Sequence, residues 1–342
     1  MDSADSAKRL RRRIFFVVTN VISIICLAWT LYGANLGELR REVEHLDWRW
    51  VATGMVLDVL AFSVQAWRWI LVLKPVTDIP IWDSLRAVYV GLFASEVLPV
   101  RAAGEVIRCY LLGRWSDIPV SVTLASALIE RIFDGIWLVV CLFVATRIVH
   151  LPRQFVAGGY FLASLLVVFA ILLGFAMFWK QQTLDYILGA KGLGWVHVLI
   201  EDLHLIGHSR YLYYAAMVSF PCILVQALPI YAFIRAYHHL EGVGVYAAFA
   251  LMVLLRLGGV VAVTPGNVGA YNGIAVVGLR LFGVAFPVAK RFSIILWTAI
   301  TLPLLIAGFI AVAASGLNMG DLHKHSRTPL RRRNPAPEPS VP

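Results

Sequence analysis

The chain has 342 residues, 60% of them hydrophobic and 15% charged, with a mean hydropathy of +0.77. Soluble domains run near 45–50% apolar and about 25% charged, so these proportions exclude a water-soluble globular protein and define an integral membrane one. A net charge of +10 would suit a nucleic-acid binder, but the placement of the basic residues, given below, excludes that class.

Residues 1–13 end in "KRLRRR" and read as a basic cytoplasmic N-terminus. The apolar run at 14–33 resembles a signal-peptide start, but its length and the lack of a convincing A-x-A site make it a retained anchor helix. Further runs at 50–73, 122–146, 156–179, 212–236 and 291–315 are long enough to cross a core of about 30 Å, which takes roughly 20 helical residues. Six crossings return both termini to one side. On that topology eighteen of the 30 Lys and Arg residues share the side of the N-terminus and nine lie opposite, while Arg68, Arg131 and Arg256 fall inside apolar segments. The bias places both termini in the cytoplasm. Residues 317–342 read as a disordered, basic, Pro-rich cytoplasmic tail near anionic lipid. Cys26, Cys109, Cys141 and Cys222 are scattered in apolar segments without a CxxC pair, which reads as buried thiols.

Two apolar stretches are interrupted by proline and glycine. The first has an arm at 85–98, the break "PVRAAG" and a second arm at 105–113, with lengths of about 21 Å and 14 Å. The second surrounds "TPGNVG" with arms of about 27 Å and 22 Å, and reads as two thin crossings or another hairpin. By the crossing count the first opens from the cytoplasm and the second from the opposite face. Broken helices in corresponding positions of two halves point to a transport site near the midplane. Kinked helices that merely pack would be the plainer account. Each helix that starts after a break presents free N–H groups, and such a terminus accepts anions such as phosphate. Arg101 adds a full charge beside the first.

"LPVRAAGEVIR", then "SALIERIFDG", and later "TPGNVGAYNG" resemble the flippase-like transmembrane family whose best-known member is the membrane domain of lysylphosphatidylglycerol synthase. The resemblance runs from about residue 14 to 316. It implies movement of a phospholipid or lipid-linked head group between leaflets. The family often has Gly where this chain has Asn267 and an acid where it has Asn272, so the resemblance carries no second acidic site. Because the chain stops soon after the last crossing, the soluble synthase domain and its activity are not expected.

"SALIERIFDGIW" places Glu130, Arg131 and Asp134 in a crossing helix, with Arg131 and Asp134 spaced to pair. A charge facing lipid at helix centre costs about 2.5–3.5 kcal/mol on insertion scales, so the trio faces the bundle interior or lies near the cytoplasmic end. It suits a transport path somewhat better than a purely structural ion cluster holding the first hairpin. Glu105, one residue after Gly104, can pair with Arg108. Arg256 has no acid nearby in sequence, and Glu96, Glu105 or a lipid phosphate are its candidate partners. Arg68, near a helix end, is expected to snorkel. Asp58 and Gln65 share a face, lining the same cavity or bonding between helices. His197, Glu201, His204 and His208 share one helical face, but the opposite apolar stripe makes an amphipathic surface helix the better account than a metal site. GxxxxGK[ST], G-x-S-x-G and HExxH are absent.

The expected molecule is therefore an all-α polytopic bundle of about six full crossings plus two broken or re-entrant hairpins, some eight membrane segments. Its expected role is lipid transport in a bacterial inner membrane, with no cofactor and no enzymatic activity. Membrane lipids are its partners, joined by a separate enzyme where the lipid needs modification. The candidate transport residues are Glu96, Arg101, Gly104, Glu105, Arg108, Glu130, Arg131, Asp134, Arg256, Pro265, Gly266, Asn267, Gly269, Tyr271 and Asn272. Phosphate falls to the two helix N-termini with Arg101, Arg108 and Arg256. Glu105, Glu130 and Asp134 balance charge, bind a cationic head group or carry a proton. A membrane-embedded transferase and a small-solute transporter are the alternatives.

Overall fold

A computed structural model describes residues 36–98, 102–149, 153–178, 206, 209–261 and 269–316. Among them there are eleven α-helices and no strand. α1 (Leu36–Glu44) is short and polar, and α2 (Trp48–Leu73) follows, capped by Asp47 accepting from the Arg49 amide at 3.0 Å. α3 (Ile81–Val97) and α5 (Val120–Ile148) both begin after an Asp-Ile-Pro triplet, with Pro80 and Pro119 at the caps. Proline there stops the preceding turn while fitting the first helical φ. α4 (Ala102–Trp115) lies between them, and α6 (Arg153–Phe178) follows α5. α7 (Arg210–Val225) and α8 (Ala227–Ala236) nearly form one helix, interrupted at Gln226, where Pro229 in the first turn of α8 cannot donate back across the junction. α9 (Val245–Val261), α10 (Ala270–Arg280) and α11 (Phe286–Ala314) complete the described chain.

Trp48–Leu73, Arg210–Ala236 and Phe286–Ala314 are long and apolar enough to cross a membrane. α5, at 29 residues, is as long as α11 but carries Glu130, Arg131, Asp134 and Arg147. The expected run at 14–33, the histidine face at 197–208 and the tail lie outside the described residues.

Both broken stretches fold back as antiparallel helical hairpins. In the first, Gly91 faces Arg108 and Ser95 faces Gly104; in the second, Gly258 meets Ile274 and Gly278 meets Leu251. The arms differ from the sequence expectation. Helix resumes at Ala102, inside the supposed break, because the two alanines there are strong helix formers. The first hairpin thus has arms of 17 and 14 residues, about 26 Å and 21 Å. The second has 17 and 11 residues, about 26 Å and 17 Å.

The helix order repeats. A long helix (α2), a hairpin (α3–α4) and a 29-residue helix (α5) form one set; α7–α8, α9–α10 and the 29-residue α11 form the other. The two sets run oppositely. The Asp47 amide donates to the Ala236 carbonyl at 3.1 Å, so α2 begins where α8 ends. Arg291, early in α11, bonds Glu38 at 3.0 Å and Glu42 at 3.1 Å at that same end. Each hairpin therefore enters from the end opposite to the other. A buried cluster around α2–α5 contains Trp69, Val88, Leu112 and Ile129, and a second around α8–α11 contains Phe233, Leu251, Leu279 and Phe292. α3 packs across sets on α11 through Tyr89, Val90, Leu304 and Val312, while α9 shares a cluster with Leu138 and Leu142 of α5. Hydroxyl bonds pin α3 to α2: Ser84 to the Ala66 carbonyl at 2.8 Å, and Tyr89 to the Val59 carbonyl at 2.6 Å.

Candidate functional site

Six ionic side chains close into a ring between α2, α4 and α5. Arg68 lies 3.2 Å from Glu130, Glu130 2.9 Å from Arg108, and Arg108 2.8 Å from Glu105. Glu105 pairs with Arg131, Arg131 lies 3.9 Å from Asp134, and Asp134 returns to Arg68 at 2.5 Å. Every acid stands between two arginines and every arginine between two acids, so the ring is neutral. That arithmetic makes it tolerable inside an apolar bundle, where an unpaired charge is costly.

The helices set this geometry. Glu130, Arg131 and Asp134 share the first half of α5, and Glu105 and Arg108 are one turn apart in α4. Gly91 has no Cβ to collide with Arg108, which lets α3 and α4 close behind the ring. The Arg108 guanidinium stacks 4.5 Å above the Trp69 ring, and Trp69 is held by donating to Ser126 at 2.8 Å. Arg68 also donates to Ser219 of α7 at 3.0 Å.

Burial divides the ring. The side chains of Arg68, Glu130 and Arg108 are 1%, 1% and 4% exposed, whereas Glu105 and Arg131 are 36% and 46% exposed. One half is a sealed brace; the other offers a carboxylate and a guanidinium to whatever borders α4 and α5.

The snorkelling expected of Arg68 is not what occurs. Its guanidinium turns inward because Glu130 and Asp134 await it, 62 and 66 residues further along the chain. Sequence reasoning passed over Arg68 as a site residue, though Asp58, Gln65 and Arg68 recur at i, i+7 and i+10 on one face of α2, which was the available signal.

A second polar group gathers where the two sets meet. Asp58 and Gln65 of α2 and Asn272 of α10 are buried, 7%, 9% and 3% exposed. Arg256 of α9 is electrostatically coupled to Asp58 and to Asp134, and Tyr271 of α10 to Asp58, Arg256 and Glu96. The sequence offered Glu96, Glu105 or a lipid phosphate as partners for Arg256; the acids that interact with it electrostatically are Asp58 and Asp134. Asp58 Oδ2 and Asn272 Oδ1 have no hydrogen-bond partner among the described residues. Gly104 and Glu105 stand in the first turn of α4, and Gly269, with φ 82°, caps α10 in a backbone conformation that favours glycine. Arg101, Pro265, Gly266 and Asn267 lie outside the described residues. Among the described residues no group of three or more His, Cys, Asp or Glu is arranged to hold a metal ion.

A helical, multi-pass membrane protein with two oppositely inserted hairpins and buried ionic groups is what these elements define. The chain belongs to the lysylphosphatidylglycerol synthase transmembrane-region family, whose model matches residues 16–308. A UPF0104 membrane protein of Methanothermobacter thermautotrophicus is 21% identical over 304 residues, covering 80% of this chain and 88% of that protein. A UPF0104 membrane protein of Methanocaldococcus jannaschii is 23% identical over 176 residues, 51% of this chain and 49% of that protein. No solved structure matches the chain.

Proposed function

We propose that this protein is a flippase-like transporter that moves a phospholipid or lipid-linked head group between the leaflets of the cell's inner membrane. The observation that carries the reading is the pair of hairpins entering from opposite ends, with Asp58, Glu96, Arg256 and Tyr271 coupled between them. Half-helix termini and buried charge at the junction of inverted repeats are how a membrane protein holds a polar head group away from water. In this reading the lipid phosphate meets the N-termini of α4 and α10 with Arg101 and Arg256. The exposed half of the ring, Glu105 and Arg131, meets the head group as it arrives. The end bearing Lys74 and Arg114 faces the cytoplasm, as the basic-residue bias requires. No covalent step is assigned to the chain.

The test is reconstitution into liposomes carrying fluorescent phospholipids, with a quencher that reads the outer leaflet. Protein-dependent leaflet exchange with chemically unchanged lipid supports the proposal. Exchange absent while the lipid is covalently altered supports a membrane-embedded transferase. Uptake of a water-soluble solute without lipid exchange supports a small-solute transporter.

A further inference from the structure

The three ring acids each have two arginines beside them: Glu105 has Arg108 and Arg131, Glu130 has Arg68 and Arg108, and Asp134 has Arg68 and Arg131. Asp58 is placed differently. It precedes Arg68 by ten residues, about 15 Å along α2, which sets it near the middle of that helix. The residue is 7% exposed, and its Oδ2 finds no hydrogen-bond partner among the described residues. Ionisable groups on three elements interact with it electrostatically: Tyr89 of α3, Arg256 of α9 and Tyr271 of α10. The Tyr89 hydroxyl is already used, donating to the Val59 carbonyl and sharing a bond of 3.0 Å with Ser63. Arg256 also interacts electrostatically with Asp134 of α5, and Glu96 at the end of α3 interacts with Tyr271.

We propose that Asp58 is a proton-binding site linking the two repeats. A buried carboxylate requires a cation or a proton on its free oxygen. When Arg256 is drawn to Asp134 or to an incoming phosphate, Asp58 takes one proton on Oδ2, forming an O–H bond and losing its charge. When Arg256 returns, that bond breaks and the proton leaves. No other bond changes. Because Asp58 belongs to one repeat and Arg256 to the other, proton occupancy is tied to how the repeats sit against each other. The link between this proton and transport rests on the lipid-transfer reading above; the proton site does not.

Infrared difference spectroscopy on the full-length protein in lipid vesicles reads the site directly, through the carbonyl stretch of a protonated carboxyl. As pH falls from about 9 to about 5, a window that brackets perturbed carboxyl groups, the wild type should gain a carboxylic-acid band. Asp58→Asn should abolish it, and Asp58→Glu should retain it at a displaced frequency. A wild type with no titrating band, or one that Asp58→Asn leaves unchanged, overturns the proposal. In the liposome assay, wild-type transfer should vary by up to about tenfold per pH unit on one limb, as one linked proton requires. Asp58→Asn should flatten that dependence and Asp58→Glu restore it with a moved midpoint; an unaltered profile in Asp58→Asn overturns the coupling. Absence of lipid transfer in the wild type counts against the lipid-transfer reading alone, since the infrared result does not depend on it.

Discussion

Glu130 holds two arginines from two other helices in the interior, so its removal is unlike the loss of a surface charge. Glu130→Gln keeps the shape but leaves Arg68 and Arg108, 1% and 4% exposed, short of the negative charge both face. Breaking a buried ion pair from one side costs about 3–5 kcal/mol. Glu105→Gln removes an acid that is 36% exposed, and a screened pair of that kind is worth about 0–1 kcal/mol, with some further loss through buried Arg108. Thermal unfolding in detergent should therefore show a much larger drop for Glu130→Gln than for Glu105→Gln. Equal shifts would mean that the sealed half of the ring is not a brace. On the proposed reading Arg101 makes one charge-assisted phosphate contact worth about 1.5–3 kcal/mol, so in Arg101→Ala lipid transfer should fall about 10- to 150-fold while expression holds. Normal transfer in that variant would make Arg101 an anchor to head groups at the membrane surface. The ring itself was only partly legible in the sequence. Pairs within one helix, Glu105 with Arg108 and Arg131 with Asp134, follow from spacing. The pairs that close it span 22 to 66 residues, and no local pattern encodes which helices will face each other.

At the scale of the helices, the first hairpin depends on how closely its arms approach. A Cβ built on Gly104 would fall within contact distance of Ser95 Oγ and the Gly91 carbonyl, and one on Gly91 would stand 2.7 Å from the Arg108 Cβ. Backbone atoms cannot yield as a flexible side-chain tip can. Gly104→Ala should therefore wedge α3 from α4, at a cost typical of overpacking, about 1–3 kcal/mol, and displace Arg108 from the ring. Gly158→Ala in α6 is the control: the glycine is exposed, its new methyl meets nothing within 4 Å, and alanine favours helix by about 1 kcal/mol. Purified yield and unfolding temperature should fall for the first variant and hold or rise for the second. Comparable losses would show that α3 and α4 do not depend on this contact. The breaks themselves were visible in the sequence, because proline and glycine interrupt apolar runs for local steric reasons. Arm lengths were not, since Ala102 and Ala103 extend the helix through a stretch that composition marks as a break.

Over the whole molecule, the two ends differ in their contacts. At one, Arg291 binds Glu38 and Glu42, His239 lies 3.4 Å from Glu42, and α1 is clasped against the starts of α2 and α11. At the other, Lys74 pairs with Asp78, Arg86 pairs with Asp83, and Arg86 stacks 4.8 Å over Trp115. The nine basic residues counted opposite the N-terminus lie in 40–49, in 147–153, at Arg235 and in 280–291; the structure brings the start of α2, the end of α8 and Arg291 to one end. Which end meets the cytoplasm rests on the positive-inside rule, and labelling decides it. Cys109, Cys141 and Cys222 are buried, so a chain with Cys26 replaced by serine is a quiet background for single cysteines. A membrane-impermeant maleimide on intact cells should modify Arg40→Cys and His238→Cys, both exposed at the Arg291 end. Lys74→Cys and Arg114→Cys, exposed at the other end, should react only after the membrane is opened. Reaction of the second pair in intact cells, with the first pair silent, would invert the molecule. The first hairpin would then open to the outside, and the terminus of α4 proposed to accept phosphate would serve the outer leaflet. Reaction of one member from each pair would break the assignment of the ends altogether, and with it the inverted relation of the two hairpins.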